Sequence, residues 1–444
     1  HRYHRKVTQA TATWRPSTRV AFRFCVVYLG LFCVLLTQIP FALLGVVGRV
    51  IGGQFALTAM SLLNPLTGWV GRNLFGVNAV LHEDSGSGDQ AAIWVLVFCI
   101  LVLATAASTV WTVLDRRLSY PRLLAWFTLF LRLCLGGQML FYGFAKLIPT
   151  QMPGPTLAQL LQPYGTLSPA SVLWLQVGSS HPYEMALGAV EVIAGLLLFV
   201  PRTAVLGTML SLASMAQVFL MNMTFDVPVK LLSFHLLLIS LVLLAPYLDR
   251  LLDFFVRQRA SEPLSQPPLF NDHRRNRLAI WAQVMIGLWV ALGGVYDGWT
   301  TWHEYGGGGP KSELYGIWSV QAFFVDGTYV PPVATDRSRW QTIIFDQPGA
   351  ATYQRMNGEL VVVSTEFDDG HLKLADISDN SGGKVGGKAP FADLTYSQPN
   401  VDSLLLGGKL YGKPVTVMLK RMDPETFPLR SRGFHWVQEY PFFR

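Results

Sequence analysis

Two apolar stretches of the sequence carry charges: Phe127-Thr-Leu-Phe-Leu-Arg132-Leu-Cys-Leu-Gly136-Gly-Gln138-Met-Leu-Phe-Tyr142-Gly143-Phe-Ala-Lys146 and Glu184-Met-Ala-Leu-Gly188-Ala-Val-Glu191-Val-Ile-Ala-Gly195-Leu-Leu-Leu-Phe-Val-Pro201. Residues three and four apart share a helix face. Each stretch therefore has one stripe of charge and glycine, made of Arg132, Gly136, Gly143 and Lys146 in the first and of Glu184, Gly188, Glu191 and Gly195 in the second. Glycine lets helix backbones approach closely in lipid, where charges persist only when paired or facing a polar cavity. We expect these helices to pack together with Arg132 paired to Glu191, which could frame a site or only lock the fold.

The composition is that of a membrane protein with a soluble part attached. Of the 444 residues, 51% are hydrophobic and only 14% are charged, against roughly 25% charged in soluble proteins. The mean hydropathy is +0.34. The net charge of +7 comes from basic residues beside apolar segments, which is a signal of membrane orientation. We therefore expect membrane lipids, and no nucleic acid, as partners.

Cysteine usage excludes two kinds of site. All four cysteines fall inside apolar segments, and none forms a Cys-x-x-Cys: Cys25, Cys33, Cys99 and Cys134. This pattern argues against a thiol-disulfide relay and against cysteine-bound zinc. Because no His, Cys or carboxylate group has structural-zinc spacing either, we predict no metal site and free cysteines buried as small hydrophobes.

Seven segments are long and apolar enough to be membrane spans of about 20 residues. They lie near residues 24–47, 91–114, 124–146, 184–201, 203–222, 229–247 and 278–298, and we number them spans one to seven. Residues 51–76 are broken by glycine and proline, which favours interfacial helices over an eighth span. The Pro- and Gln-rich composition of the stretch 261–276 predicts a disordered linker.

Basic residues predict the orientation. The leader, Arg116, Arg117, Arg122, Arg202 and the arginines between 250 and 277 all fall on one side of the predicted spans. By the positive-inside rule that side is cytoplasmic. We predict a multi-pass protein of the cell (inner, cytoplasmic) membrane with its N-terminus in the cytoplasm and its C-terminal part outside.

The predicted architecture is multi-domain, an α-helical transmembrane bundle followed by an all-β extracytoplasmic domain. Its parts are a basic leader 1–23, spans one and two with interfacial helices at 24–119, a four-helix core 120–250, a cytoplasmic linker 251–277, span seven at 278–302 and the β-domain 303–444.

In the β-domain, alternation predicts eight strands, at 316–327, 339–346, 351–357, 359–367, 371–377, 391–397, 401–407 and 411–421. Asn357-Gly358 and Asp369-Gly370 are typical of hairpin turns in which both residues adopt positive φ. Short connections favour an up-and-down barrel, which leaves no exposed edge, and a two-sheet sandwich is the alternative.

Gly316-x-Trp318 on the first strand and Arg421 on the last resemble the lipocalin and fatty-acid-binding protein group. This resemblance implies that Arg421 stacks on Trp318. The tail from Arg430 to Arg444 is dense in aromatics and arginine, which are typical interface anchors. It could dock on the spans or on a partner protein, or pack on its own domain.

Spans three to six resemble the DoxX-like membrane family over roughly residues 120–250. The matching residues are Arg132, Gly143 and Lys146 on the first helix, and Glu191-x-x-x-Gly195-Leu-Leu-Leu with Arg202 around the second. That family is a four-helix unit found in membrane-bound redox assemblies, including a thiosulfate:quinone or terminal oxidase system. The resemblance implies an accessory or structural subunit of a larger, quinone-linked electron-transfer complex. Three extra spans and the β-domain depart from the family pattern.

Polar residues cluster toward the outer ends of spans three to six: Gln138, Tyr142, Lys146, His181, Glu184, Asp226, Lys230 and His235. A histidine inside a membrane is a candidate functional residue, although it can equally be a hydrogen-bonded core group. With carboxylates and lysine around it, such a cluster suits a quinone headgroup, whose reduction needs a proton donor. Alternatively, Asp226 and Lys230 form only a surface pair at i, i+4.

Three functions remain open at this point. The first is the complex subunit, with other subunits as partners and no cofactor of its own apart from a quinone or lipid. The second is a stand-alone membrane enzyme acting on a lipid or quinone. The third is a binding or assembly protein whose barrel holds an apolar ligand, which requires a hollow barrel interior.

Overall fold

The computed structural model describes residues 13–377 and 389–443, which form two compact units. The first, the helical unit, contains the described residues up to Gln151 and Pro182–Thr301. The second, the barrel unit, contains Met152–His181 and the described residues from Trp302 onward. The first twelve residues of the predicted leader and Arg444 lie outside the described residues.

Fifteen α-helices occur in the described part of the chain. They are α1 (Pro16–Leu35), α2 (Gln38–Phe41), α3 (Val46–Ile51), α4 (Gln54–Ser61), α5 (Asn64–Val70), α6 (Ala91–Leu114), α7 (Pro121–Leu147), α8 (Leu157–Leu161), α9 (Pro169–Gly178), α10 (His181–Phe199), α11 (Ala204–Thr224), α12 (Lys230–Leu244), α13 (Leu248–Phe255), α14 (His273–Glu304) and α15 (Pro428–Ser431).

Seven helical segments are long and apolar enough to cross a membrane, which confirms the predicted number of spans within the described residues. They are α1, α6, α7, α10, α11, α12 continued through α13, and α14. Between α1 and α6 the chain forms only short helices. None of these reaches the roughly 20 residues that a crossing needs, so the structure has no eighth span there.

Span one starts earlier than predicted, at Pro16 rather than near residue 24. Proline suits the first turn of a helix because its missing N–H would be unpaired there in any case. Arg23 then lies inside the helix, 2% exposed, and donates hydrogen bonds to the Tyr120 hydroxyl and the Asp115 carbonyl. Protein groups therefore satisfy the hydrogen bonds of this basic residue, which the sequence pattern had assigned to the leader 1–23 rather than to span one.

The prediction of a disordered linker at 261–276 is wrong. The segment before α14 has no helix or strand, yet it packs on the helical unit. The Tyr247 hydroxyl donates to the Ser265 carbonyl at 3.2 Å, and the Phe270 ring meets the edge of Trp126 at 5.6 Å. Proline prevents regular structure here without preventing docking.

Glycine controls how α7 packs on α10. A Cβ on Gly143 would lie 2.8 Å from the Val192 backbone nitrogen, and one on Gly188 would overlap the backbone of Leu147. Gly136 likewise receives the Phe199 ring. The two helices are thus antiparallel and in near backbone contact, as small residues allow in a membrane.

Gly188→Ala should destabilise the protein by about 1–3 kcal/mol, because the added methyl group forces two packed backbones apart. Gly30→Ala is the matched control, since a Cβ at Gly30 in α1 meets no atom within 4 Å. Equilibrium unfolding in detergent measures both. Equal unfolding midpoints for the two variants would contradict the close α7–α10 contact.

The barrel unit contains nine strands among its described residues: β1 (Gly316–Val325), β2 (Thr328–Tyr329), β3 (Trp340–Phe345), β4 (Ala350–Arg355), β5 (Leu360–Asp368), β6 (His371–Asp376), β7 (Ala392–Asn400), β8 (Ser403–Leu410) and β9 (Lys413–Met422). Neighbours are antiparallel and follow chain order, apart from the two-residue β2 on the far side of β1. Pairing of β1 with β9 closes the remaining eight strands. This confirms the eight-stranded barrel and excludes the sandwich.

Turn chemistry and side-chain alternation explain the barrel. Asp369 and Gly370 both have positive φ, as predicted, whereas at Asn357-Gly358 only the glycine does. The turn at Asn357-Gly358 is longer than a two-residue hairpin turn, because the Arg355 N–H donates to the Glu359 carbonyl. The inward-facing side chains of the barrel, Trp318 among them, form one packed cluster whose buried members are each 0–7% exposed. The interior is therefore filled with apolar side chains.

The aromatic tail after α15 is largely exposed. Phe434, Trp436, Tyr440 and Phe443 are each at least 77% exposed. The Arg432 guanidinium lies 4.1 Å from the Phe442 ring centroid, a contact within the tail itself. The sequence left open whether the tail packs on its own domain, and in the structure little of the tail does so.

The chain between spans three and four packs on the barrel. Leu157 of α8 joins Ile317 and Ile344 in a small apolar cluster outside the main barrel core. The Leu157 N–H donates to Asp346 Oδ2 at 2.7 Å, so a carboxylate on the barrel caps this helix. Burial raises the pKa of the Asp346 carboxyl, although hydrogen bonds from Leu157 and Ala158 oppose the rise.

Asp346→Ala should lower the stability of the barrel unit by about 1 kcal/mol, as loss of a helix cap does. Between the ordinary pKa of 3.8 and the raised value, only the folded carboxyl holds its proton. Wild-type stability should therefore fall as pH rises through that window, and the variant should lose this dependence. Thermal unfolding across pH tests this, with exposed Asp368→Ala as control; the same pH dependence in Asp346→Ala and wild type would contradict it.

Candidate functional site

A buried ion pair joins α7 to α10. Lys146 Nζ lies 2.7 Å from Glu191 Oε2, with both side chains under 10% exposed. The Ser214 hydroxyl of α11 donates to Glu191 Oε1 at 3.4 Å. The predicted Arg132–Glu191 pair is therefore wrong, because Lys146 holds Glu191 instead.

The antiparallel register explains this correction. Gly143 faces Val192 and Gly136 faces Phe199, so positions rise along α7 as they fall along α10. Arg132 consequently lies about 18 Å from the level of Glu191 at 1.5 Å per residue. Lys146 and Glu191 each follow a contact glycine by three residues, which places them on the packed face.

Arg132 instead caps the C-terminus of α10. Its Nε and Nη2 donate to the Leu198 carbonyl at 3.1 and 2.7 Å, and Nη2 also donates to Gln283 Oε1 at 3.1 Å. Leu198 is the penultimate residue of α10, whose last carbonyls have no partner within the helix. A cation at this end is favourable because the helix dipole is negative there.

Beside the ion pair lies a cavity of about 590 Å³ within the helical unit, which we call the main cavity. Its walls come from α7, α14 and the segment around α3, and include Phe41, Arg49, Phe141, Tyr142, Gly294 and Asp297. Lys146 Nζ lies 5.7 Å from the Tyr142 ring centroid, so one residue of the cavity wall is also a neighbour of the ion pair. The wall of the main cavity thus contains both aromatic rings and polar side chains.

Sequence reasoning missed the ion pair of Arg49 with Asp297, whose 3.0 Å contact links α3 to α14 beside the main cavity. It also missed the glycines of α14. Gly293 approaches the backbone at Gly45, and Gly294 receives the Phe144 ring. The spacing Gly294-x-x-x-Gly298 is a helix-packing signal that could have revealed this wall.

The predicted polar cluster is dispersed rather than gathered. Gln138 lines a neighbouring cavity of about 240 Å³ and donates to the Gln38 carbonyl. Lys230 pairs with Asp226 at 2.9 Å near the surface, as the alternative interpretation expected. Glu184 is fully buried in the first turn of α10. His181 belongs to the barrel unit.

His235 is a core residue of the helical unit. It is 1% exposed and stacks on Phe32 at 3.7 Å between ring centroids. Its Nδ1 lies 2.7 Å from the Leu231 carbonyl and its Nε2 lies 2.8 Å from the Tyr28 hydroxyl. A carbonyl only accepts, so Nδ1 carries a proton and donates to Leu231, while Nε2 shares a hydrogen bond with the Tyr28 hydroxyl. Both ring nitrogens are thus engaged in the core.

Trp318 and Arg421 occupy opposite register positions on β1 and β9. A Cβ on Gly316 would lie 3.3 Å from Arg421 Nε and 3.5 Å from Trp318 Nε1, so both side chains lie beside this glycine. The Trp318 indole donates to the Leu314 carbonyl at 2.8 Å. Stacking of the guanidinium on the ring stays a prediction.

The four cysteines are free thiols, with Cys33 and Cys134 buried and Cys25 and Cys99 half-buried. Within the described ranges, His, Cys, Asp and Glu nowhere gather in a group of three or more that could hold a metal ion.

The fold and site define a protein with a helical unit, in which seven helical segments are long and apolar enough to cross a membrane, and a closed β-barrel. Over 119 residues the chain is 34% identical to the uncharacterized protein YwoB of Bacillus subtilis (strain 168), covering 27% of this chain and 74% of that protein. The chain belongs to the family of that protein. No family model and no solved structure matches the chain.

Lys146→Met should cost about 3–5 kcal/mol of stability, because it leaves the Glu191 carboxylate buried without its cation. The double variant Lys146→Met/Glu191→Leu should recover most of that loss. Lys230→Met, which breaks an exposed pair, is the control and should change stability by about 0–1 kcal/mol. Unfolding in detergent measures all three, and a double variant no more stable than Lys146→Met would rule out direct pairing.

Proposed function

We propose that the chain is an accessory subunit of a larger membrane-bound electron-transfer complex and holds a quinone or lipid in the main cavity. It has no redox cofactor of its own in this proposal. The observation that carries it is the main cavity, about 590 Å³ in volume, whose wall includes Tyr142, a neighbour of Lys146. The DoxX-like resemblance of spans three to six supplies the type of complex.

The chemistry of the main cavity suits an amphipathic ring with acceptor oxygens. Its volume lies within the roughly 300–1,000 Å³ of small-molecule sites, which combine apolar walls with a few polar groups. Phe41 and Phe141 offer aromatic faces, while the Arg49 guanidinium and the Tyr142 hydroxyl are donors. A quinone headgroup is a flat ring with two carbonyl acceptors, and a lipid headgroup offers phosphate or ester oxygens to the same donors.

The proposed location is the cell (inner, cytoplasmic) membrane, with the N-terminus in the cytoplasm and the barrel outside. Residues 152–181 and the barrel belong to one compact unit, which supports placing both on the same side of the membrane. Four span segments separate them in sequence, as an even number of crossings requires. The arginines between 250 and 277 mark the opposite side as cytoplasmic.

Two other functions predicted from the sequence, a ligand-binding barrel and a stand-alone membrane enzyme, are supported to different degrees. A barrel that holds an apolar ligand would need a hollow interior, and the packed cluster around Trp318 and Phe323 weighs against it. A stand-alone enzyme acting on a lipid or quinone would use the same main cavity. Within this proposal His235 has no part in ligand binding, because both its ring nitrogens are engaged.

Arg49→Gln should weaken binding of a short-chain quinone or a phospholipid to the purified full chain by about ten- to a hundredfold, the loss expected for one charge-assisted hydrogen bond. Arg257→Gln is the matched control, because Arg257 forms a similar 2.9 Å surface pair with Asp253. Titration followed by ligand fluorescence or thermal shift measures the affinities. Equal affinities in both variants would remove the main cavity from the proposal.

The subunit role is tested separately, by mild solubilisation of native membranes and mass spectrometry of proteins that copurify. Redox proteins in constant ratio to this chain, with quinone in the extract, support the proposal. A chain that runs alone with bound ligand points to the stand-alone enzyme and contradicts the subunit role.

A further inference from the structure

Arg132 is a buried cation whose charge no carboxylate neutralises in the part of the chain that the structure describes. It is 4% exposed, and its contacts are the Leu198 carbonyl and the Gln283 amide oxygen. Its Nη1 makes no hydrogen bond to any described residue. The dipole of α10 offsets only part of a unit charge, so the guanidinium retains an unused donor and excess positive charge.

That donor group lines a second cavity, distinct from the main cavity, of about 190 Å³. Its polar walls are Thr128, Gln266, Asn276 and Gln283, and Pro201 lies at the same site. Gln266 Oε1 is buried and has no hydrogen-bond partner. The site thus combines a cationic donor that makes no hydrogen bond with a buried acceptor that has no partner, and an unpaired buried acceptor is costly without a ligand or water.

We infer that this second cavity binds the phosphate of an anionic phospholipid headgroup, or free phosphate. A guanidinium suits phosphate oxygens because its planar fork donates two parallel hydrogen bonds. A headgroup hydroxyl, as on a glycerol ester, would donate to Gln266 Oε1. Basic pockets between membrane helices commonly hold such headgroups.

The size of the second cavity favours a headgroup over a whole ligand. Its 190 Å³ is less than the roughly 300–1,000 Å³ of sites that enclose complete small molecules. A phospholipid would place only its phosphate and glycerol inside, with the acyl chains left in the bilayer. The arginines between 250 and 277 lie in or beside the linker and at the start of α14, two segments that also wall this cavity. They attract anionic lipid to the same end.

The test uses the purified full chain, delipidated in detergent and then given phosphatidylglycerol, phosphatidylcholine or inorganic phosphate. Native mass spectrometry and thermal shift measure binding. We expect phosphatidylglycerol to bind at least about tenfold more tightly than phosphatidylcholine in wild type and to lose that preference in Arg132→Gln. Arg355→Gln is the control and should keep the preference, because Arg355 pairs with Glu359 in the barrel unit and does not line the second cavity.

Gln266→Glu covers the case in which Arg132→Gln does not fold, since it keeps Arg132 and places a carboxylate in the second cavity. This variant should be more heat-stable than wild type without lipid and should show no shift with phosphatidylglycerol. A shift with inorganic phosphate alone assigns the site to free phosphate. A phosphatidylglycerol shift of wild-type size in both Arg132→Gln and Gln266→Glu, or no shift with any ligand in wild type, overturns the inference.

Discussion

The ion pair between Lys146 and Glu191 is the interaction on which the helical unit depends. Each charge alone would be expensive inside a membrane, and the two are stable there because they touch and exclude water together. They touch because Gly143 and Gly188 let α7 and α10 meet at the backbone. The ion pair therefore depends on the glycines, since a bulkier residue at either glycine would move the two helices apart and separate Lys146 from Glu191.

The bundle handles its other buried cation differently. Arg132 is held by the C-terminal carbonyl of a short helix rather than by a carboxylate. Helix α10 ends soon after Leu198, and that early end makes the carbonyl available. The two cationic residues lie on one helix about 21 Å apart, and each is associated with a cavity of its own. Tyr142 lines the main cavity, and Arg132 lines the second cavity.

Sequence pattern predicted faces and elements well, because these depend on local periodicity. The strands of the barrel and the number of spans follow from alternation, turn residues and apolar length, and so does the packing of α7 on α10. It could not predict register. A stripe of charge and glycine identifies the shared face, but only contacts such as Gly143 on Val192 set which charge meets which. The role of His235 was equally hidden, since its partner Tyr28 lies more than two hundred residues away.

A cryo-electron microscopy map of the full chain in a lipid nanodisc tests the charge arrangement most directly. The Lys146 ammonium should contact the Glu191 carboxylate, while the Arg132 guanidinium should lie on the Leu198 carbonyl with headgroup density beside it. Density that joins Arg132 to Glu191, or a Lys146 side chain extended into lipid, would contradict the arrangement from which both cavities follow.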